Sequence, residues 1–338
     1  MDLNLSSLYP HLIYSFRNEH ELITAIEEIS LKFTRDRENI DDYLKDPKLV
    51  SAYTAFYLLT NFPKLEAVLK WLPKNWIDLL MKSDFIDLGA GSGTFSLAFK
   101  SLGAQGDFYQ IEKSSYMREQ ARKLWDAYYS DPIKQGERWA WTSDKSRFVL
   151  FGHSANEMEV STVLSYIDSI NPDHLLFIEP GTKDFFARML TIRDELLNRG
   201  FHLLYPCPKE ADCPLRNTKD WCHQFVELKH NPEVERLSQL VKKDRKLMPL
   251  TIQAFSKNYS EPLPQERIIR VFPETKFSHE WDVCRDNVLE HYQIMKRDIS
   301  KADSKLIGSL LAGEAIRTTL VKDLNGSKRV KFEGLIKN

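Results

Sequence analysis

The 338-residue sequence has no long apolar run, no excess of either charge and only four cysteines. A membrane-spanning helix needs about 20 consecutive apolar residues, so no membrane association is expected. Lys and Arg number 47 against 48 Asp and Glu, for a net charge of −1. No global field draws such a chain to nucleic acid, which leaves only local basic patches. The start, Met1-Asp-Leu-Asn-Leu-Ser-Ser-Leu, lacks a basic stretch before an apolar run, and the first forty residues mix acids with Arg. Neither a secretory signal nor an acid-poor transit peptide looks like that. These absences point to a cytoplasmic protein, in which thiols stay reduced. A chain of this size buries about 75% of its unfolded surface and needs no disulfide staples, so four cysteines suggest metal.

Three of them cluster, in Pro206-Cys207-Pro208, Cys213-Pro214 and Trp221-Cys222-His223; Cys284 lies far downstream. Four thiolates suffice for an iron–sulfur cluster or a structural zinc. The C-x5-C-x8-C spacing lacks the C-x2-C knuckles of common zinc ribbons. Wider loops suit a cluster whose sulfurs come from irregular backbone, and Pro206, Pro208 and Pro214 keep the segment non-helical. His223 is an alternative ligand, whereas His202 falls on a strand. The plainer alternative is four unrelated core thiols.

Upstream, Asp87-Leu-Gly89-Ala-Gly91-Ser-Gly93 follows the apolar run Asp84–Leu88. Glycines after a strand permit a tight turn and close approach of a ligand, and the next helix offers unpaired N–H groups. The spacing G-x-G-x-G departs from the dinucleotide fingerprint G-x-G-x-x-G and resembles motif I of class I methyltransferases, which bind S-adenosylmethionine (SAM). Glu112, expected at the end of the second strand, suits the ribose hydroxyls, as acids do in dinucleotide folds. Asp87 would lie near the amino-acid part of the cofactor. NAD is the competing cofactor.

The surrounding pattern divides into three stretches. Residues 1–80 read as a helical N-terminal region, with apolar residues at Leu22, Ile23, Ile26, Ile29 and Phe33. Asp42 to Leu80 continues it, with Tyr43, Tyr53, Phe56 and Tyr57 as helix core. Residues 81–260 alternate strands (84–88, 107–111, 147–151, 174–178, 201–205) with helices (94–102, 114–129, 156–170, 184–198). Trp139-Ala-Trp141 is a further candidate strand, and Leu250–Phe255 is the last of the sheet. Such alternation implies a parallel sheet with ligands at the carboxyl ends of its strands. After Glu261-Pro-Leu-Pro264, residues 261–338 form a small β-rich region that contributes Cys284.

Together with Ser51-Ala-Tyr53, Ile178-Glu-Pro-Gly-Thr182, Cys213-Pro-Leu215 and Asp220-Trp-Cys-His223, these motifs resemble the ribosomal small-subunit methyltransferase-like family, found in bacteria and as mitochondrial ribosome assembly factors. The resemblance spans residues 45–300. It implies an α/β fold: a Rossmann-like class I SAM-dependent methyltransferase sheet with a helical lead-in, a Cys-rich metal-binding insertion and a β-rich appendage. It also implies SAM at Asp87, Gly89, Gly91, Gly93 and Glu112, and a [4Fe–4S] cluster (or zinc) on Cys207, Cys213, Cys222 and Cys284. The expected partner is the small ribosomal subunit and its rRNA, approached by a monomer. Two departures stand out. Lys209 replaces the usual His after Pro-Cys-Pro, and Gln224–His230 is less basic than in the family.

No catalytic base is assigned from sequence. The segment after the fourth strand, Phe151-Gly-His-Ser-Ala-Asn-Glu157, lacks the Asn/Asp-Pro-Pro-aromatic loop of amino-methylating enzymes. Its polar residues are His153, Ser154, Asn156 and Glu157; Ser154 or Asn156 equally suits a helix cap. Glu179 either faces the cleft or closes a turn. The basic runs Lys242–Lys246 and Lys328–Lys331 are phosphate contacts or, more simply, solvated faces. A catalytic methyltransferase, a non-catalytic assembly factor and a zinc-stabilised methyltransferase with another substrate all fit this sequence.

Overall fold

The computed structural model of the chain describes residues 3–34 and 44–336. The expected helix residues Asp42 and Tyr43 lie outside the described residues.

The N-terminal region is helical, as its periodicity predicts: Glu19–Thr34, Pro47–Tyr53, a π-helical turn Thr54–Leu58, then Leu59–Leu69 and Lys74–Leu80. These helices bury Leu22, Ile26, Ile29, Phe56 and Trp76 against one face of the central sheet. A single-turn π-bulge is unusual and often marks a functional site.

The sheet is built from β1 (Asp84–Leu88), β2 (Phe108–Ile111), β3 (Ile133–Gly136), β4 (Arg147–Gly152), β5 (His174–Pro180), β6 (His202–Tyr205), β7 (Gln224–Glu227) and β8 (Leu247–Ser256). Its order is β3-β2-β1-β4-β5-β8-β6, with β7 also paired to β8. The first five run parallel, with helices covering both faces, and every residue of β1 and β2 is buried. Such burial explains why these strands read as continuous apolar runs. Two expectations need correction. The sheet is not wholly parallel, because β8 enters between β5 and β6 antiparallel to both. The strand after the second helix is Ile133–Gly136 rather than Trp139-Ala-Trp141; the two tryptophans pack on the Tyr109 ring from outside the sheet.

The order 3-2-1-4-5 is the doubly wound one. With the reversed strand β8 set between β5 and the edge strand β6, it is a Rossmann-like methyltransferase sheet.

The C-terminal region is a closed barrel of β9 (Glu266–Val271), β10 (Ser278–Arg285), β11 (Val288–Met295), β12 (Ala315–Leu324) and β13 (Ser327–Leu335). Its strands close in the order β9-β10-β11-β13-β12, with β11 and β13 parallel and the helix Lys301–Gly308 between β11 and β12. This is the arrangement of an OB-type barrel. Trp281, Val283, Tyr292, Ile294 and Ile316 fill its interior.

Candidate functional site

Two clusters carry candidate chemistry. The first lies at the carboxyl ends of β1, β2, β4 and β5. Gly89, Gly91 and Gly93 all hold positive φ (71°, 52° and 83°), and Gly93 leads into the helix Thr94–Ser101. Glu112, directly after β2, reaches into this loop. Its Oε2 accepts the Gly91 N–H at 2.9 Å, and its Oε1 accepts that of Ser114 at 2.8 Å. Burial pushes its carboxyl pKa up, against the pull of those two N–H groups. Asp87 is turned the other way: Oδ2 accepts both the N–H and the O–H of Ser96, at 2.9 and 2.8 Å. Burial pushes its carboxyl up to about 7. The predicted residues therefore meet at one strand edge, with Asp87 serving the start of the helix. Tyr53 stands over the loop, 3.9 Å from where a side chain on Gly91 would begin.

The loop after β4 departs from the sequence expectation. Neither Ser154 nor Asn156 caps a helix with its side chain, and the helix starts only at Val160. The amides of Ser154, Ala155 and Asn156 instead donate to the buried carboxylate of Glu179, at 3.0, 2.9 and 3.4 Å. Glu179 thus anchors this loop from the neighbouring strand. Lys64 was missed by sequence reasoning, yet its Nζ lies 2.7 Å from His153 Nε2. Its one signal was position: with Asn61, Leu65 and Val68 it falls on the buried stripe of the helix Leu59–Leu69.

The second cluster is a cavity between the sheet and the barrel. Cys207 follows β6, Cys213 and Cys222 lie on the irregular segment before β7, and Cys284 is on β10; all four line this one cavity. Their carrier segment is tied down on both sides. From the helix Lys183–Asn198, Arg193 Nη2 donates to Ala211 O at 2.7 Å. From the turn after β10, Asn287 Nδ2 donates to the carbonyls of Lys209, Ala211 and Asp212, at 3.2, 2.9 and 3.2 Å. Lys209, the departure from the family pattern, pairs with Asp286 at 3.0 Å. Arg267 of β9 donates through Nε to Pro206 O, and its Nη2, also buried, has no hydrogen-bond partner among the described residues.

Burial raises all four thiols. At Cys222 the neighbouring Cys207, Cys213 and Cys284 add repulsion to the rise, and Cys284 is pushed up to about 12. Arg193 and Arg267 oppose that rise at Cys207. Among the described residues, no three His, Cys, Asp or Glu side chains form a ready metal-ion site. His223 stacks on Trp221 and meets Phe225 edge-on. No described helix is long and apolar enough to cross a membrane.

Four residues of the basic runs make contacts within the chain, while Lys242 is exposed. Arg245 lies over the Tyr57 ring, Lys246 pairs with Glu235, Lys328 with Glu290 and Lys331 with Glu333.

The chain is similar in structure to magnesium protoporphyrin IX methyltransferase from Synechocystis (12% identity, 72% of this chain and 100% of that one, TM-score 0.38). It is also similar to precorrin-6y C5,15-methyltransferase from Geobacter metallireducens (15%, 54% and 87%, TM-score 0.34). A third is ribosomal protein L11 methylase from Lactobacillus delbrueckii (14%, 42% and 70%, TM-score 0.31). Likenesses this distant carry no conclusion about substrate. No curated protein matches the chain. A family model described as mitochondrial small ribosomal subunit Rsm22 matches residues 47–296. That description overturns the cytoplasmic placement drawn from composition, because the family it names is a mitochondrial one. The match takes in the glycine loop, Glu112, the post-β4 loop and all four cysteines, and the chain belongs to the Rsm22 family, whose methyltransferase-like fold it carries.

Proposed function

We propose that this protein binds SAM at the glycine loop and Glu112, and acts as a monomer on the small ribosomal subunit during assembly, methylating its rRNA. In this reading Cys207, Cys213, Cys222 and Cys284 hold a structural [4Fe–4S] cluster. The observation that carries it is the convergence of four thiols, one of them from a separate barrel, on a single cavity.

The donor chemistry suits an anionic cluster. Four neighbouring buried thiols stay protonated unless positive charge offsets their mutual repulsion, and a bound metal deprotonates them outright. Arg267 and Arg193 supply further positive charge at the same wall. A single zinc ion needs its sulfurs about 2.3 Å from one point. In a cubane each thiolate ligates a different iron, so a wider ring of sulfurs serves. When bound, the cluster supplies a covalent tie between loop and barrel.

Around SAM, Gly91 leaves room for close approach and Tyr53 closes the cleft above it. A second reading, a non-catalytic assembly factor, is favoured by one observation: the oxygens of Glu112 are already engaged by Gly91 and Ser114.

Anaerobic purification with metal and sulfide analysis tests the cluster. Absorption in the visible blue with about four irons and four sulfides per chain is expected; stoichiometric zinc without sulfide sinks the assignment. Labelled SAM with purified small subunits tests turnover. Tight SAM binding with no transfer would leave the assembly-factor reading standing alone.

A further inference from the structure

The post-β4 loop holds a strained histidine against a buried lysine. His153 has a left-handed backbone, φ 60°. For a residue other than glycine that conformation persists only where its surroundings over-determine it, often at functional sites. Here they do. The His153 N–H continues the sheet ladder to Ile178 O at 3.0 Å, and the next three amides are fixed by Glu179. The imidazole lies nearly parallel to the Phe95 ring.

The imidazole meets Lys64 at 2.7 Å. At that distance one nitrogen donates and the other accepts, so the two bases share a single proton. Lys64 is 1% exposed. Burial, then the positive charge of Arg245, hold its amine well below the usual lysine range, while Glu179 pulls the other way. His153 is lowered by burial, by Lys64 and by Arg245. Nearby, His230 bonds the Arg245 carbonyl and faces Lys64, and Tyr57 lies beneath the Arg245 guanidinium. The Lys64 amine is therefore held as a free base more readily than an ordinary lysine, with a neutral imidazole beside it. The pair also adjoins the cofactor loop. Ser154, next in sequence, donates through Oγ to Leu88 O at 2.5 Å and packs against Gly89.

We propose that Lys64 and His153 form the proton-accepting pair on the acceptor side of the cleft, serving a methyl acceptor that carries its own proton, an N–H or O–H group of RNA. This rests on the methyl-transfer reading above. The acceptor nitrogen or oxygen forms its bond to the methyl carbon as the sulfur–methyl bond breaks. That electron pair stays on sulfur, and the acceptor's proton passes to the shared nitrogen site and later to water.

Lys64→Arg tests this, because guanidinium keeps the charge but does not release its proton at working pH. Lys64→Met, similar in shape and apolar, serves as the variant least prone to misfold. His153→Gln removes the other half of the pair. Two readouts are needed. In the ligand-free chain, nitrogen NMR of ¹⁵N-histidine protein should find the His153 ring neutral from pH 6 to 8, and Lys64→Met should let it take up a proton at higher pH. An imidazolium at pH 7 in the wild type overturns the proposal. With labelled SAM and small subunits, kcat/KM should fall about 10²–10⁴-fold in each variant while SAM affinity holds. Full rates in Lys64→Arg sink the pair alone. A wild-type chain that binds SAM but transfers nothing sinks the catalytic reading and the pair with it.

Discussion

Alanine at Gly89 and at Gly91 should produce two different defects, because the two glycines answer different constraints. A Cβ on Gly89 would sit 2.4 Å from the Cβ of Ser154. Ser154 has no room to swing aside, since its Oγ is bonded to Leu88 O and its amide to Glu179. A left-handed backbone costs alanine about 1–2 kcal/mol, and overpacking against a fixed atom adds about 1–3 kcal/mol. Gly89→Ala should therefore cost the sheet domain about 2–5 kcal/mol. At about 2–4 °C per kcal/mol for a domain of this size, the melting transition falls on the order of 10 °C. At Gly91 the nearest obstruction is the Tyr53 ring at 3.9 Å, an ordinary contact. Gly91→Ala should thus show only the backbone cost, about 1–2 kcal/mol. Its methyl group would occupy the gap between loop and Tyr53, where the proposed SAM site needs close approach. Calorimetric melting with SAM titration separates the two: Gly89→Ala loses stability first, Gly91→Ala loses SAM affinity first. If Gly91→Ala melts as low as Gly89→Ala, or binds SAM like the wild type, this division between packing and ligand approach is wrong.

Cys284→Ser keeps the side-chain shape but removes the barrel's thiol; under the proposed cluster, iron content and thermal stability should fall together, and a normal iron content would refute the ligand assignment. Asp87 should leave a pH signature. Burial raises its folded pKa to about 7, so the native state keeps a proton that the unfolded chain releases at pH about 4. Its contribution is full below that pH and is lost as pH rises to about 7. Asn in its place can still accept from Ser96, so Asp87→Asn should flatten the fall in melting temperature between pH 4 and 7, and an unchanged slope would contradict the assignment. Lys328→Ala and Lys331→Ala should leave the salt dependence of small-subunit binding unaltered, because both lysines are paired within the chain; a slope reduced by about one per residue would show that they contact phosphate instead.

What the sequence made legible depended on how strongly each segment's burial constrained its composition. β1 and β2 are buried throughout and stood out as apolar runs ending at Gly89 and Glu112. β3 did not, because Ile-Lys-Gln-Gly is an edge strand with only Ile133 buried. The direction of β8 was invisible, since residue pattern does not record strand polarity in a two-sided sheet. The barrel was half legible. Its hairpin β12–β13 exposes Leu320 and Val321 and buries few residues, so its alternation is weak. The helix placed at Asn156 starts later because the preceding amides answer to Glu179, a partner distant in sequence. Lys64 was hidden for the same reason: a lysine reads as surface until its partner, His153, is known.

The cysteine segment and the barrel bear on one another through polar contacts more than apolar ones. Under the segment the buried apolar cluster contains only Phe186, Leu190 and Leu215. Holding it are instead the donors of Arg193, Asn287 and Arg267, and the Arg270–Asp220 pair at 2.6 Å. Each such bond is worth about 1 kcal/mol net, and small polar interfaces between domains leave relative motion as the default. The outer side of β10, an oligonucleotide-binding face in other OB-type barrels, here carries Cys284 towards the segment. A tie through three loop sulfurs and one barrel sulfur would turn that loose contact into a fixed one. Under the proposed cluster, that tie is the role of all four cysteines of the chain: three on one irregular segment, and one on the strand that faces it.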